Sequence, residues 1–201
     1  MSWKIIKPKR KFILDEMNVR PVHKSQYAKL KKFHYISQLD RAGFRKAFGL
    51  FHKDSDILYG IIMYNAPLLE LKARKNTPLG KFLKLYKDQS TRYKKTNELC
   101  TYISRIVIHP SVRGIGSAAK IVEDSWRETN FRFVEGMGQM VYYRNFLPKS
   151  YSYFVKVENI LKVSAFFTDK QDKGAMHRRV KSPVLRYGYV LYINEKIKVK
   201  H

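Results

Sequence analysis

Apolar positions fall in short runs along the chain, and their spacing changes from one stretch to the next. Residues 24–33 (KSQYAKLKKF) set Tyr27, Leu30 and Phe33 three apart, which is one face of a helix. Two strands follow, Phe44 to His52 and Ile57 to Tyr64, joined by the turn formers Lys53-Asp54-Ser55-Asp56. The second strand (ILYGIIMY) is almost wholly apolar, which predicts neighbours on both edges; Asn65-Ala66-Pro67 ends it. Residues 68–95 read as a basic helical insertion, with Leu79, Phe82, Leu83 and Tyr86 at helical spacing. Leu99 to His109 (LCTYISRIVIH) is rich in β-branched residues and predicts a strand. Gly116 to Trp126 predicts a helix whose buried stripe is Ala118, Ala119, Ile121, Val122 and Trp126. Phe131 to Glu135 reads as a strand, Met140 to Leu147 as a short helix before Pro148, and Ser152 to Val157 and Val184 to Asn194 as late strands. Residues 169–183 form a basic loop, and the stretch up to Val22 reads as an early strand or an arm. There is no internal repeat. The sum is one mixed α/β (α+β) domain over residues 1–201 with a dominant sheet.

Composition narrows the partners. A chain of 201 residues, 44% hydrophobic, carries enough apolar surface for one self-sufficient core. Lys and Arg number 41 against 16 Asp and Glu, a formal charge of +25 that predicts a polyanionic partner, nucleic acid first among them. Fourteen Tyr and 12 Phe interleave with these cations, which suits base stacking, although most aromatics must fill the core. A single cysteine, Cys100, excludes a disulfide framework and a cysteine-rich zinc site, and in a strand it reads as a small hydrophobe. No apolar run is long enough to cross a bilayer, and the basic start MSWKIIKPKRKF lacks the apolar segment of a signal peptide, so no membrane partner and a cytoplasmic location are expected.

The chemistry concentrates in RIVIHPSVRGIGSAAKIV, residues 105–122. A strand runs into Pro110, and a loop holding Arg113, Gly114 and Gly116 opens a helix. Helix starts leave backbone N–H groups unpaired and their dipole favours negative charge, while glycine lets backbone approach a phosphate. The loop lacks the Gly-Lys-Ser/Thr of a Walker loop and has only Gly114-Ile115-Gly116 of a dinucleotide fingerprint.

The run Arg113-Gly114-Ile115-Gly116-Ser117-Ala118 resembles the R-x-x-G-x-A signature of GNAT acyltransferases, and the preceding IVIHP is similar to the strand that enters it. The resemblance implies a GNAT-like sheet, mostly antiparallel, with a splayed strand pair and flanking helices. It implies acetyl-CoA or another acyl-CoA as cofactor. Ile106, Val107 and Ile108 would line the pantetheine arm, with Ile106 and Ile108 offering backbone groups, and Arg113, Gly114, Ile115, Gly116, Ser117 and Ala118 would hold the pyrophosphate. His34-Tyr35, FVEGMGQMVYYRNF and the late SPVLRYGYVLY together resemble Mom-type phage DNA-modification proteins. That likeness implies transfer of an acyl-derived group to the exocyclic N6 amine of adenine in DNA, in a bacterial or phage-infected host cell. The base would leave the stack to react. The insertion at 68–95 departs from a minimal GNAT pattern.

An adenine amine is a weak nucleophile, so such a site needs a base and an acid. His34 is the leading base candidate, with Tyr35 beside it, and Glu135 at a strand end is a second base or an orienting group for His34. Tyr142 and Tyr143 are candidates for protonating the thiolate. His34 and Glu135 would suit a divalent metal if they met in space. His109 reads as structural. Arg41, Arg45 and Lys46, then Lys173, Arg178, Arg179 and Lys181, then Arg92, Lys94 and Lys95 are the candidate DNA contacts, which would position the backbone without reading sequence. Two further readings stand beside DNA modification: an N-acetyltransferase acting on a protein or small-molecule amine, and a non-catalytic basic nucleic-acid-binding protein. A dimer is compatible with all three.

Overall fold

The architecture comes from a computed structural model that describes residues 10–34, 43–138, 141, 153–158 and 186–198. Seven strands form one sheet: β1 (Met17–Pro21), β2 (Phe44–His52), β3 (Leu58–Asn65), β4 (Cys100–Ile108), β5 (Phe133–Gly138), β6 (Tyr153–Glu158) and β7 (Arg186–Ile193), in the order β1-β2-β3-β4-β5-β7-β6. Every pair is antiparallel except β4 with β5, which is parallel and needs the crossover through a helix. The apolar run predicted to be interior is β3, flanked by β2 and β4. The stretch before Val22 holds a short helix, α1 (Arg10–Asp15), and the edge strand β1.

Alternation along the strands separates two buried faces. Phe48, Leu50, Ile62, Tyr64, Val134 and Tyr192 point to one side and pack on α5 (Ser117–Ser125) through Ile121, Val122 and Trp126. Their sequence neighbours point to the other side. There Ala47, Ile61, Met63 and Val107 meet Tyr27 and Leu30 of α2 (Tyr27–Leu30), and Cys100, Phe133, Tyr189 and Leu191 meet the 68–95 insertion. The predicted helix at 24–33 is a single α turn between two 3-10 turns, and His34 caps its end in an extended conformation.

The insertion contains α3 (Pro78–Leu83) and α4 (Gln89–Leu99). Thr77 caps α3 by accepting from Gly80 N at 3.1 Å, and Asp88 caps α4 by accepting from Thr91 N at 2.7 Å. Leu79 and Leu83 carry α3 onto the sheet. Among the described residues no helix is long and apolar enough to cross a membrane.

Candidate active site

The two central parallel strands part company. Pairing between β4 and β5 runs from Cys100↔Phe133 to Ile103↔Gly136 and stops. Beyond it β4 continues to Ile108 on β3 alone, and β5 continues to Gly138 on β7 alone. The cause lies at Ser104, which sits in a register shift of the β3–β4 ladder, where an extra residue bends a strand. Its hydroxyl is fixed on Met63 O at 3.1 Å and Asn65 Oδ1 at 2.7 Å. The result, among the described residues, is a gap between the two strands in which nothing pairs with the far edge of β4 beyond Ile103. His109 N donates to Tyr59 O at 2.7 Å, so by alternation Val107 and Arg105 turn their polar groups toward β3. Ile106 and Ile108 therefore turn theirs into the gap.

The glycine loop closes the end of that wall. Pro110–Val112 form a 3-10 turn capped by His109, whose ring accepts from Ser111 N at 3.3 Å, which bears out a structural role for His109. Gly114 and Gly116 then take φ of +77° and +104°, the left-handed region that a side chain disfavours. The first ladder bond of α5 runs from Lys120 N to Gly116 O, so the amides of Ser117, Ala118 and Ala119 precede the ladder. Ser117 Oγ ties the turn by donating to Val112 O at 2.8 Å, and Ile115 packs into the core beside α5. The Arg113 side chain is tied to protein: its guanidinium donates to Ile108 O at 2.8 Å and to Phe33 O at 3.0 Å. Among the described residues, that leaves the Ile106 amide and carbonyl and the Ile108 N–H as the unpaired groups of the wall.

The same contact brings the His34 segment to the gap. Phe33 lies edge-on to His109 at 4.7 Å, Tyr27 lies edge-on to His34 at 6.5 Å, and the Arg105 guanidinium covers the Tyr27 ring at 4.9 Å. His34 thus sits over the unpaired half of β4, on the face opposite α5. Tyr27 and Arg105 belong to this cluster and carried no motif in the sequence.

Glu135 is elsewhere and does another job, which corrects the expectation of a base or a metal ligand. Its side chain is 0% exposed, and Arg74 grips it with two bonds, Nε to Oε1 and Nη2 to Oε2, both at 2.7 Å. Tyr189 donates to Oε1 at 2.6 Å, and the Cys100 thiol to Oε2 at 3.4 Å. Four donors from protein leave the carboxylate no substrate to face. Glu135 is level with Tyr102, six residues before Ile108 on β4, roughly 20 Å at the rise of a strand. His34 and Glu135 therefore do not converge, and among the described residues no group of three or more His, Cys, Asp or Glu is placed to hold a metal. Burial pushes the Cys100 thiol well up, as befits a small buried hydrophobe. Burial, then the charge of Glu135, also raises the Tyr189 hydroxyl above the ordinary tyrosine range. The hydrogen bonds and charge of Glu135 hold the Arg74 guanidinium protonated against the opposing effect of burial.

Two candidate DNA contacts are tied to other parts of the protein. Arg45 donates to Cys100 O, to Asn97 O at 2.6 Å and to Asn97 Oδ1 at 2.6 Å, and its guanidinium lies 4.3 Å over the Phe131 ring. Lys46 donates to Glu128 O at 2.8 Å. Both line an open hollow of about 640 Å³ with Asn97, Glu98, Thr129, Asn130 and Phe131. Lys95 pairs with Glu98 at 3.4 Å, Arg92 reaches back to Asp88 O at 3.4 Å, and Lys94 is exposed. Tyr35, Arg41, Tyr142, Tyr143, Lys173, Arg178, Arg179 and Lys181 lie outside the described residues, as do the 169–183 loop and all of the predicted 140–147 helix except residue 141.

No protein-family model matches the chain, and no curated protein matches it. Solved structures do. An N-acyl amino acid synthase, FeeM, from uncultured soil microbes is similar at 11% identity and a TM-score of 0.45, over 88% of this chain and 90% of that one. The polyamine N-acetyltransferase of Drosophila melanogaster, which forms N-acetylagmatine, is similar at 10% identity and 0.48, over 89% and 100%. A GNAT family acetyltransferase from Elizabethkingia anophelis with acetyl-CoA bound is similar at 7% and 0.41, over 90% and 99%.

Proposed function

We propose that this chain is an acyl-CoA-dependent acyltransferase of the GNAT type that acylates an amine on a small molecule or a protein. The observation that carries the reading is the gap itself. A strand whose backbone groups at Ile106 and Ile108 have no partner among the described residues leads into two left-handed glycines and the first-turn amides of a nine-residue helix. That sequence of donors suits one elongated ligand with an amide-bearing arm and a pyrophosphate. Ser117, Ala118 and Ala119 would hold the pyrophosphate on backbone N–H groups, and Ile106 would pair with the arm as a neighbouring strand does. When bound, an acyl-CoA supplies an activated thioester. The Ile108 N–H would polarise the acyl carbonyl, and His34, over the same wall, would take the proton from the acceptor nitrogen.

A second reading, transfer to the N6 amine of adenine in DNA, is favoured by the net charge of +25. It draws less from Arg45 and Lys46, whose cations already bind backbone carbonyls of the protein. One experiment separates the readings: incubation with acetyl-CoA and either a panel of polyamines, amino acids and lysine peptides or duplex DNA. Thiol release that depends on an amine of the panel supports the first reading. A new adenosine derivative among digested nucleosides supports the second. Absence of acetyl-CoA binding by calorimetry refutes both.

A further inference from the structure

The insertion over residues 68–95 carries nine Lys or Arg against two acids, Glu70 and Asp88. Both acids are exposed, and each is engaged by neutral groups of the insertion itself. Glu70 accepts from the Tyr93 hydroxyl and from Gln89 Nε2 at 3.0 Å, while Asp88 caps α4. One cation, Arg74, is buried on Glu135, and its Nη1 holds Leu69 O while its Nη2 also reaches Leu68 O. The insertion is thereby bolted to β5, the strand that forms the far wall of the gap. Lys72, Lys75, Lys81, Lys84 and Lys87 are all exposed, and among the described residues none has an acidic partner.

Packed backbone holds Lys75 beside the lysines of α3. Gly80 of α3 lies so close to the preceding turn that a methyl group there would meet Arg74 O at 2.0 Å and Lys75 O at 2.8 Å. Lys75 therefore sits against α3. On α3 the residues Leu79, Gly80 and Leu83 face inward, which turns Lys81 and the adjoining Lys84 outward. A group of exposed lysines with no acidic partner among the described residues is a site for a polyanion. The apolar content argues against a lipid surface, since Leu69 and Leu85 are the exposed large hydrophobics here and α3 is six residues long. The aromatics argue against a single strand, since Phe82 and Tyr86 are half-buried and packed on one another at 5.6 Å, leaving no stacking platform.

We propose that the insertion is a docking plate for the backbone of a double-stranded nucleic acid, with Lys72, Lys75, Lys81, Lys84 and Lys87 as its phosphate contacts. The plate covers the same face of the sheet as the His34 segment, so a bound duplex lies on the acceptor side of the gap. The plate stands apart from the acyl-transfer reading, because docking needs neither coenzyme nor turnover.

The test is fluorescence anisotropy of a labelled 20-base-pair DNA duplex with the full chain over a salt series. It compares wild type, Lys81→Gln/Lys84→Gln/Lys87→Gln, and a charge-matched control, Lys53→Gln/Lys196→Gln/Lys198→Gln, whose three lysines are exposed elsewhere. Each lost phosphate contact removes about 0.9 from the slope of log K against log salt, so the plate variant should lose about 3 and the control almost nothing. Equal losses in both variants would show a response to net charge alone and overturn the proposal. So would an unchanged plate variant, or a plate variant that loses binding to phosphatidylserine vesicles but not to the duplex. Unchanged acetyl-CoA affinity of the plate variant verifies its fold, and duplex binding is read without coenzyme, so the two proposals fail separately.

Discussion

Removing one member of the Arg74–Glu135 pair should cost far more than removing both. The side chains are 5% and 0% exposed, and two 2.7 Å bonds join them. Glu135→Leu leaves a guanidinium in the interior with two backbone carbonyls as its acceptors, and Arg74→Met leaves a carboxylate with the Tyr189 hydroxyl as its one strong donor. Breaking a buried pair in this way costs about 3–5 kcal/mol, out of a total stability of about 5–15 kcal/mol for a domain. The double variant leaves neither charge stranded and replaces them with apolar volume, so it should be more stable than either single. The coupling should be at least about 2 kcal/mol. Urea unfolding, followed by circular dichroism and by the fluorescence of buried Trp126, measures all four corners of the cycle. Single variants that each cost less than about 1 kcal/mol, or costs that simply add, would refute a buried, mutually dependent pair. The cycle also tests Glu135 as a base. If the folded double variant binds acetyl-CoA normally but turns over about a hundredfold more slowly, Glu135 takes part in the chemistry and its assignment as an anchor is wrong.

Three further outcomes follow from the site and its core. Gly116→Val forces a β-branched residue to φ +104° and sets its Cβ 3.2 Å from Leu14, so acetyl-CoA affinity should fall at least about tenfold by calorimetry; unchanged affinity would remove the loop from the site. His34→Gln should lower turnover by about 10²- to 10⁴-fold with acetyl-CoA affinity intact, and wild-type turnover would exclude His34 as the base. Alkaline stability depends on Tyr64 and Tyr189, both 0% exposed, whose hydroxyls burial raises above their ordinary value of 10.0. Unfolded tyrosines ionise near that value while the folded ones stay protonated, so their contribution is complete below pH 10 and declines above it. Each removes about 1.4 kcal/mol per pH unit. Thermal melts from pH 8 to 11 should show Tyr64→Phe falling less steeply than wild type, and parallel curves would count against the assignment.

The sequence by itself determined the central strands, the helix α5 and the loop before it. Strand limits such as Phe44–His52 and the start of α5 follow from local signals: period-two alternation, turn formers, and glycines where only glycine tolerates the backbone. The gap was legible only as an implication of the GNAT resemblance, because its cause, an unpaired Ser104, is a matter of register between two strands. Side-chain roles were decided by the tertiary structure. Glu135 looked like a strand-end carboxylate open to a ligand. It became an anchor because Arg74, 61 residues away in sequence, folds over it, and an insertion with no recognisable motif supplied that arginine. Arg45 and Lys46 looked like free surface cations and instead reach backbone carbonyls 52 and 82 residues distant, which no local signal shows. Periodicity and turn chemistry act between near neighbours and can be read along the chain. The partner that satisfies a buried charge is chosen by long-range packing, where an unpaired ion is too costly to leave.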